Sequence, residues 1–240
     1  MSTKIEWCDE TINPIVGCTK ISEGCQNCYA EKMAWRLKCM GHPQYQDVVD
    51  ENGWTGKIGF DLDKIERLPM PRKGKRFFVV SMGDIFNKDV SDNQRDQVFY
   101  CLRFRPRHTN IILTKRPGHM KRYFEGCRER GVPVLFWESH GLKLWKGVTV
   151  ENNEMGFFRL AILKKIPAAI KFVSVEPMLE RVDFENHLSW LDWVIVGPET
   201  GPWARECKPE WIESLYEQCK AAGVPFFDKR KDYLVREFPK

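Results

Sequence analysis

The rhythm of hydrophobic positions changes along this 240-residue chain. From residue 76 onward, short unbroken apolar runs alternate with stretches whose apolar residues recur every three or four positions. The runs are RFFVVSM at 76–82, NIILTK at 110–115, GVTVE at 147–151, KFVSVE at 171–176, DWVIVG at 192–197 and VPFFD at 224–228. Each is bounded by glycine, proline or charge, as a strand buried on both faces would be. Residues 132–137 read as a further short strand or as the apolar approach to the next. The intervening stretches read as helices. One starts near Ser91 with Val98, Cys101 and Leu102 inward, and one runs through Met120, Phe124 and Cys127. Another lies around 157–163. The last carries Trp211, Ile212, Leu215, Tyr216 and Cys219 on one stripe, with Pro209 in its first turn and Gly223 as its stop. Strand and helix alternate at least five times, the signature of a parallel sheet made from βα units. A closed eight-fold barrel takes ~250 residues, and the first third of this chain is used otherwise. The expected fold is therefore α/β, a partial (open) βα barrel of about six parallel strands in a single domain spanning 1–240. A flat doubly wound sheet is the alternative, and periodicity does not separate the two.

The first third is organised differently. A short strand over 4–14 runs into a turn at Asn13 and Pro14, and the segment CTKISEGCQNCYAE follows at 18–31. After Tyr29, the positions Ala30, Met33, Ala34, Leu37 and Met40 repeat at helical spacing as far as Gly41. Cys28 thus stands at a helix N-terminus, where the dipole and free amides favour a thiolate. Residues 42–75 read as a loop-rich insertion with one short helix near 62–68.

Composition narrows the chemistry. No apolar run reaches the length of a membrane span, and the opening MSTKIEWCDE has no signal-peptide pattern, so a cytoplasmic protein without membrane contact, and a monomer, is expected. In that setting clustered thiols among the nine cysteines point to metal or catalysis rather than disulfides. Cys18, Cys25 and Cys28 are spaced C-x6-C-x2-C. Structural zinc wants four ligands, and Cys39, Cys8 or His42 would have to supply the fourth. A [4Fe-4S] cluster on three thiolates instead leaves one iron open for a ligand such as S-adenosylmethionine (SAM). The thiols alone leave these two readings level. Cys101 and Cys219, on apolar stripes, read as core. Net charge is +5, a mild excess. The basic runs at Arg72, Lys73, Lys75 and Arg76, at Arg103, Arg105 and Arg107, at Lys115, Arg116, Lys121 and Arg122, and at 229–231 read first as solvated surface and second as a nucleic-acid contact. Phosphate-binding loops, dinucleotide fingerprints and catalytic triads are absent from the sequence.

In βα folds, functional groups gather at the carboxyl ends of the strands. Those ends carry Ser81, Gly83 and Asp84; Thr114, Lys115 and Arg116; Glu151 and Asn152; Ser174 and Glu176; and Glu199. Five such ends bearing carboxylates or a lysine are more than the polarity of loops demands.

The run IEWCDETINPIVGC at 5–18, continuing through Tyr29 and Glu31, resembles a phage-associated family of radical SAM proteins with a three-cysteine motif. SMGDIF at 81–86, LTKRP at 113–117, GVTVEN at 147–152, SVEP at 174–177 and the segment 194–201 resemble it in the same order. The resemblance implies a radical SAM enzyme of unknown substrate, possessing a partial βα barrel and a cluster loop after the first strand. Cys18, Cys25 and Cys28 would hold a [4Fe-4S] cluster. SAM bound there would be cleaved reductively to a 5′-deoxyadenosyl radical that takes hydrogen from a substrate, a nucleic acid or nucleotide being one candidate. Ser81, Gly83 and Asp84 would meet the methionine amino group, and Glu151 and Asn152 the ribose hydroxyls. Lys115, beside Thr114, would pair with the SAM carboxylate, and Glu176 or Glu199 would face ribose or substrate. An electron donor such as flavodoxin or ferredoxin is implied. The chain departs from the superfamily's C-x3-C-x2-C spacing, and Asn27 stands where an aromatic commonly precedes the third cysteine, with Tyr29 just after it.

Overall fold

The computed structural model describes residues 5–68, 73–127, 129–230 and 235–239. The chain divides into two compact units, Met1–Ile21 with Cys28–Leu144, and Ser22–Asn27 with Trp145–Lys240.

In the first unit, β1 (Glu10–Ile12) is followed by β2 (Ile15–Val16), and α1 (Tyr29–Cys39) follows the cysteine segment. The insertion contributes a small hairpin, β3 (Val49–Asp50) with β4 (Gly53–Trp54), then β5 (Gly59–Phe60), which pairs antiparallel with β2, and the short α2 (Asp63–Glu66). It is a buttress as well as a loop. Val48, Val49 and Tyr45 pack with Ala30 and Ala34 of α1, with Cys28, Leu37 and Trp54 partly buried against them. The helical stripe expected along α1 is therefore narrower than its spacing suggested: Met33 and Met40 are 40% and 68% exposed.

The regular part of this unit is β6 (Arg76–Val79), α3 (Asp92–Arg103), β7 (Thr109–Thr114), α4 (Pro117–Gly126) and α5 (Val134–Ser139). β1, β6 and β7 lie parallel in that order, with Ile12 opposite Val79 and Phe78 opposite Ile111. Ser91 caps α3 through a reciprocal exchange with Gln94, which satisfies two otherwise orphaned amides. Val98, Phe99 and Leu102 of α3 are fully buried. The strand expected at 132–137 is instead α5. Pro133 begins that turn, and six residues with no strand partner gain their hydrogen bonds from their own backbone.

In the second unit, β8 (Lys143–Thr149), α6 (Asn153–Leu163), β9 (Ile170–Val175), α7 (Glu185–Leu188), β10 (Trp193–Val196), α8 (Pro209–Ala222) and β11 (Phe226–Asp228) alternate as the pattern implied. β8 through β11 lie parallel in chain order, Val148 opposite Val173, Val173 opposite Val194 and Val194 opposite Phe226. α8 starts at Pro209 and ends at Gly223, whose left-handed φ of 68° closes the helix. Residues 235–239 run back along β11: Phe227 bridges Arg236, and Phe238 packs on Trp193 and Phe227. Arg72 and Lys231 of the basic runs lie outside the described residues. Among the described residues, no helix is long and apolar enough to cross a membrane.

Candidate functional site

The carboxyl ends of β1, β2, β6 and β7 carry the polar groups of the first unit. Gly17 and Gly83 form a parallel bridge there. A Cβ on Gly83 would lie 2.7 Å from the Gly17 carbonyl oxygen, and one on Gly17 (φ 96°) 2.4 Å from that of Lys57. Only glycine lets these backbones meet. The bridge fixes where Cys18, the next residue, leaves the sheet. Val80, just past β6, has a φ of 65°, a rare conformation for a β-branched residue and the kind of strain found at functional sites. Its amide donates to the Ile12 carbonyl at 2.7 Å, and the turn presents Ser81. The Ser81 hydroxyl donates to Asn13 Oδ1 at 3.2 Å, and its carbonyl accepts from the Tyr29 hydroxyl at 2.9 Å.

Asp84 is the buried centre of this half. It accepts from the Thr114 hydroxyl at 2.8 Å, from the Lys115 amide at 3.3 Å and from Arg116 Nη1 at 2.9 Å. Arg116 also reaches Cys18 Sγ at 3.6 Å, the Thr19 carbonyl at 2.7 Å and the Thr19 hydroxyl at 2.8 Å. Burial pushes the Cys18 thiol up to about 11, Asp84 adds to the rise and Arg116 opposes it. Cys28 caps α1 and is half-buried. Lys115, whose amide donates to Asp84, is half-buried. Arg116 was read as part of a basic run and as one of the polar groups at a strand end, with no role of its own. The signal was its place after Thr114 at a strand end, where a buried carboxylate one crossover earlier needs a cation.

The second unit holds the other expected groups, each carboxylate with a basic partner. Glu151 is fully buried, with Arg159 Nη1 on one oxygen at 2.9 Å and the Ser22 hydroxyl on the other at 2.7 Å. A ribose would reach it only by displacing Ser22. The Asn152 side chain caps α6, accepting from the Met155 amide at 2.9 Å. Glu176 accepts from the Ser174 hydroxyl at 2.9 Å and from Lys229. Glu199 takes both ends of Arg205, at 2.6 and 2.9 Å, together with the Asn27 amide at 3.0 Å. Those hydrogen bonds, from Arg205 first, hold its carboxyl down at about 2. Asn27 also donates to the Trp203 carbonyl at 2.8 Å, and Arg205 reaches the Glu23 carbonyl at 3.2 Å. Asn27 is thus a hydrogen-bonding joint. Cys25, half-buried, lies 3.7 Å from the Ser22 hydroxyl.

Phe86 is core, fully buried against Tyr123 and Phe124. Trp145 packs edge-on against Trp193, and Trp203 is 75% exposed. Among the described residues, no three His, Cys, Asp or Glu side chains are gathered as a metal site. The donor chemistry nonetheless fits a thiolate-held group: a guanidinium lies beside Cys18, a hydroxyl beside Cys25 and a helix N-terminus at Cys28.

Solved structures of spore photoproduct lyase are similar in fold. The lyase complexed with dinucleoside spore photoproduct aligns with a TM-score of 0.51 at 13% identity, over 96% of this chain and 78% of that one. A cysteine-to-serine mutant aligns at 0.53 and 12%, and a tyrosine-to-phenylalanine mutant at 0.50 and 12%, with the same coverage. The fold is accordingly α/β of the half-barrel class, with seven parallel strands where about six were expected. No curated protein matches the chain. Residues 2–236 match the family described as "Protein of unknown function (DUF5131)", and this chain belongs to that family.

Proposed function

We propose that this protein is a radical SAM enzyme, with Cys18, Cys25 and Cys28 holding a [4Fe-4S] cluster whose open iron takes SAM. The observation that supports it best is a conjunction. Three closely spaced thiols follow the first strands of a fold shared with spore photoproduct lyase, itself a radical SAM enzyme that uses a [4Fe-4S] cluster and SAM. The phage-type family membership, the single-domain organisation and a flavodoxin- or ferredoxin-like electron donor belong to the same proposal.

The cluster and SAM, when bound, supply one-electron cleavage of the sulfonium and hence hydrogen abstraction from a substrate. The chain's own residues hold and tune them. Arg116 places a positive charge against Cys18, and hydrogen bonds toward cluster sulfurs raise the potential. Ser81, Gly83 and Asp84 present polar groups for the methionine end of SAM, with Lys115 for its carboxylate. Asn152, Glu176 and Glu199 are the candidates for ribose and substrate. Lys229 beside Glu176 and Arg205 beside Glu199 avoid leaving bare charge at the rim.

Four-ligand zinc is the weaker reading. Cys39 closes the far end of α1, about 16 Å of helix from Cys28, and His42 lies beyond it. Cys8 is buried and donates to the Ile5 carbonyl.

For the substrate we propose a nucleic acid or nucleotide, by analogy with the lyase's dinucleoside. The basic pair Lys229 and Arg230 adds little to this, because Glu176 and Asp228 engage both. Binding to single-stranded DNA at low salt, falling steeply as salt rises, would support the substrate class, and no binding at low salt would remove it. The enzymatic reading is tested by anaerobic incubation with SAM and dithionite. The expected result is 5′-deoxyadenosine well above a Cys25→Ala control, and equal background in both overturns it.

A further inference from the structure

Glu151, two residues past β8, has a side chain that reaches no solvent. A carboxylate in that position has to be paired and hydrogen-bonded. Arg159 of α6 provides the charge, its Nη1 held between Oε2 at 2.9 Å and the Thr149 carbonyl at 2.7 Å. Oε1 is turned to residues more than a hundred positions earlier in the chain, the Ser22–Asn27 segment of the same unit. The Ser22 hydroxyl donates to it at 2.7 Å. Gly24 is buried and sits so close that a Cβ there would fall 2.3 Å from Glu151 Cγ. The 3-10 turn Glu23–Cys25 therefore rests directly on the stem of this carboxylate. Ser22 has one hydroxyl hydrogen, engaged by Oε1, so its oxygen keeps lone pairs for the Cys25 thiol at 3.7 Å.

We propose that Glu151 is a positioning residue for Cys25. Anchored by Arg159, it fixes the turn through the Ser22 hydroxyl and the Gly24 backbone, and so sets where the Cys25 sulfur stands before any metal arrives. The value of that position rests on Cys25 being a cluster ligand, as proposed above. The anchoring itself is a property of the metal-free chain, and it assigns Glu151 a task other than a ribose contact. A bond to a charged acceptor holds such a turn closed against local opening by about tenfold or more.

The test uses metal-free full-length protein and N-ethylmaleimide, with labelling of Cys18, Cys25 and Cys28 followed separately by peptide mass spectrometry. Ser22→Ala removes the hydroxyl and leaves the Glu151–Arg159 pair intact, and Ser22→Thr keeps the hydroxyl. The expected result is about tenfold faster labelling of Cys25 in S22A, with Cys18 unchanged and S22T close to wild type. Gly24→Ala, which forces the turn off Glu151, should act in the same direction as S22A. Labelling of Cys25 within twofold of wild type in folded S22A overturns the proposal. So does an equal rise at all three cysteines, which would mean general loosening. Iron content after reconstitution of the wild-type protein reports separately on the cluster reading, so the two ideas fail by different measurements.

Discussion

Arg116 Nη1 lies 2.9 Å from Asp84 Oδ2 in a pair whose side chains are 7% and 6% exposed. The same guanidinium nitrogen is 3.6 Å from Cys18 Sγ. One cation thus serves a buried carboxylate and a thiol, and its loss removes the charge paired with that carboxylate. Arg116→Met is expected to destabilise the metal-free protein by about 3–5 kcal/mol, as unmated buried charges do. The double variant Asp84→Asn with Arg116→Met should recover much of that. Urea unfolding of the three proteins checks it, and a double variant no better than the single one would contradict the pairing.

Glu199 gives a pH signature. Its carboxyl is held down at about 2 by Arg205 and Asn27, against an ordinary value near 4.5. A depressed carboxylate contributes stability that is complete above its unfolded value and is lost as pH falls through the folded one. Wild type should therefore exceed Glu199→Gln by on the order of 2 kcal/mol at neutral pH, after allowing for the partial exposure of Arg205. The gap should narrow steadily from pH 4.5 towards 2. Unfolding free energies of the metal-free proteins across that range measure it, and a constant gap would assign the loss to packing instead.

The Gly17–Gly83 bridge predicts a backbone effect. Gly83→Ala drives a Cβ against the Gly17 carbonyl and Gly17→Ala meets that of Lys57, and neither obstacle is a flexible side chain. Each should cost more than about 2 kcal/mol, because overpacking against fixed backbone adds to any conformational strain. Gly118→Ala, with nothing within 4 Å of the added atom, is the control. Thermal melts that place all three together would refute the close approach.

Ligand identity can be read by replacement. Cys18→Ser, Cys25→Ser and Cys28→Ser should each abolish metal incorporation, whereas Cys39→Ser, at the far end of α1, should leave it unchanged. Metal content after anaerobic reconstitution decides. Loss in the Cys39 variant would revive the four-ligand zinc reading.

The βα alternation was legible because a strand buried on both faces writes itself as an apolar run, and β6, β7, β9 and β10 each lie within one residue of such a run's start. Residues 132–137 were not, since a short apolar run has no period to tell strand from helix. The exposure of Met33 and Met40 escaped for a related reason: spacing names a face, but only the insertion that packs on α1 decides how wide that face is. In the site, residue types at strand ends were readable and their partners were not. Nothing in local sequence joins Ser22 to Glu151 or Cys18 to Arg116, because both pairings are made by the crossover of the chain.

Protein purified without oxygen, analysed for iron, acid-labile sulfide and zinc, tests the central claim most directly. The expected result is about four irons and four sulfides per chain, absent from the Cys25→Ser variant. Protein with neither iron nor sulfide, or with zinc on the three thiols instead, would contradict it.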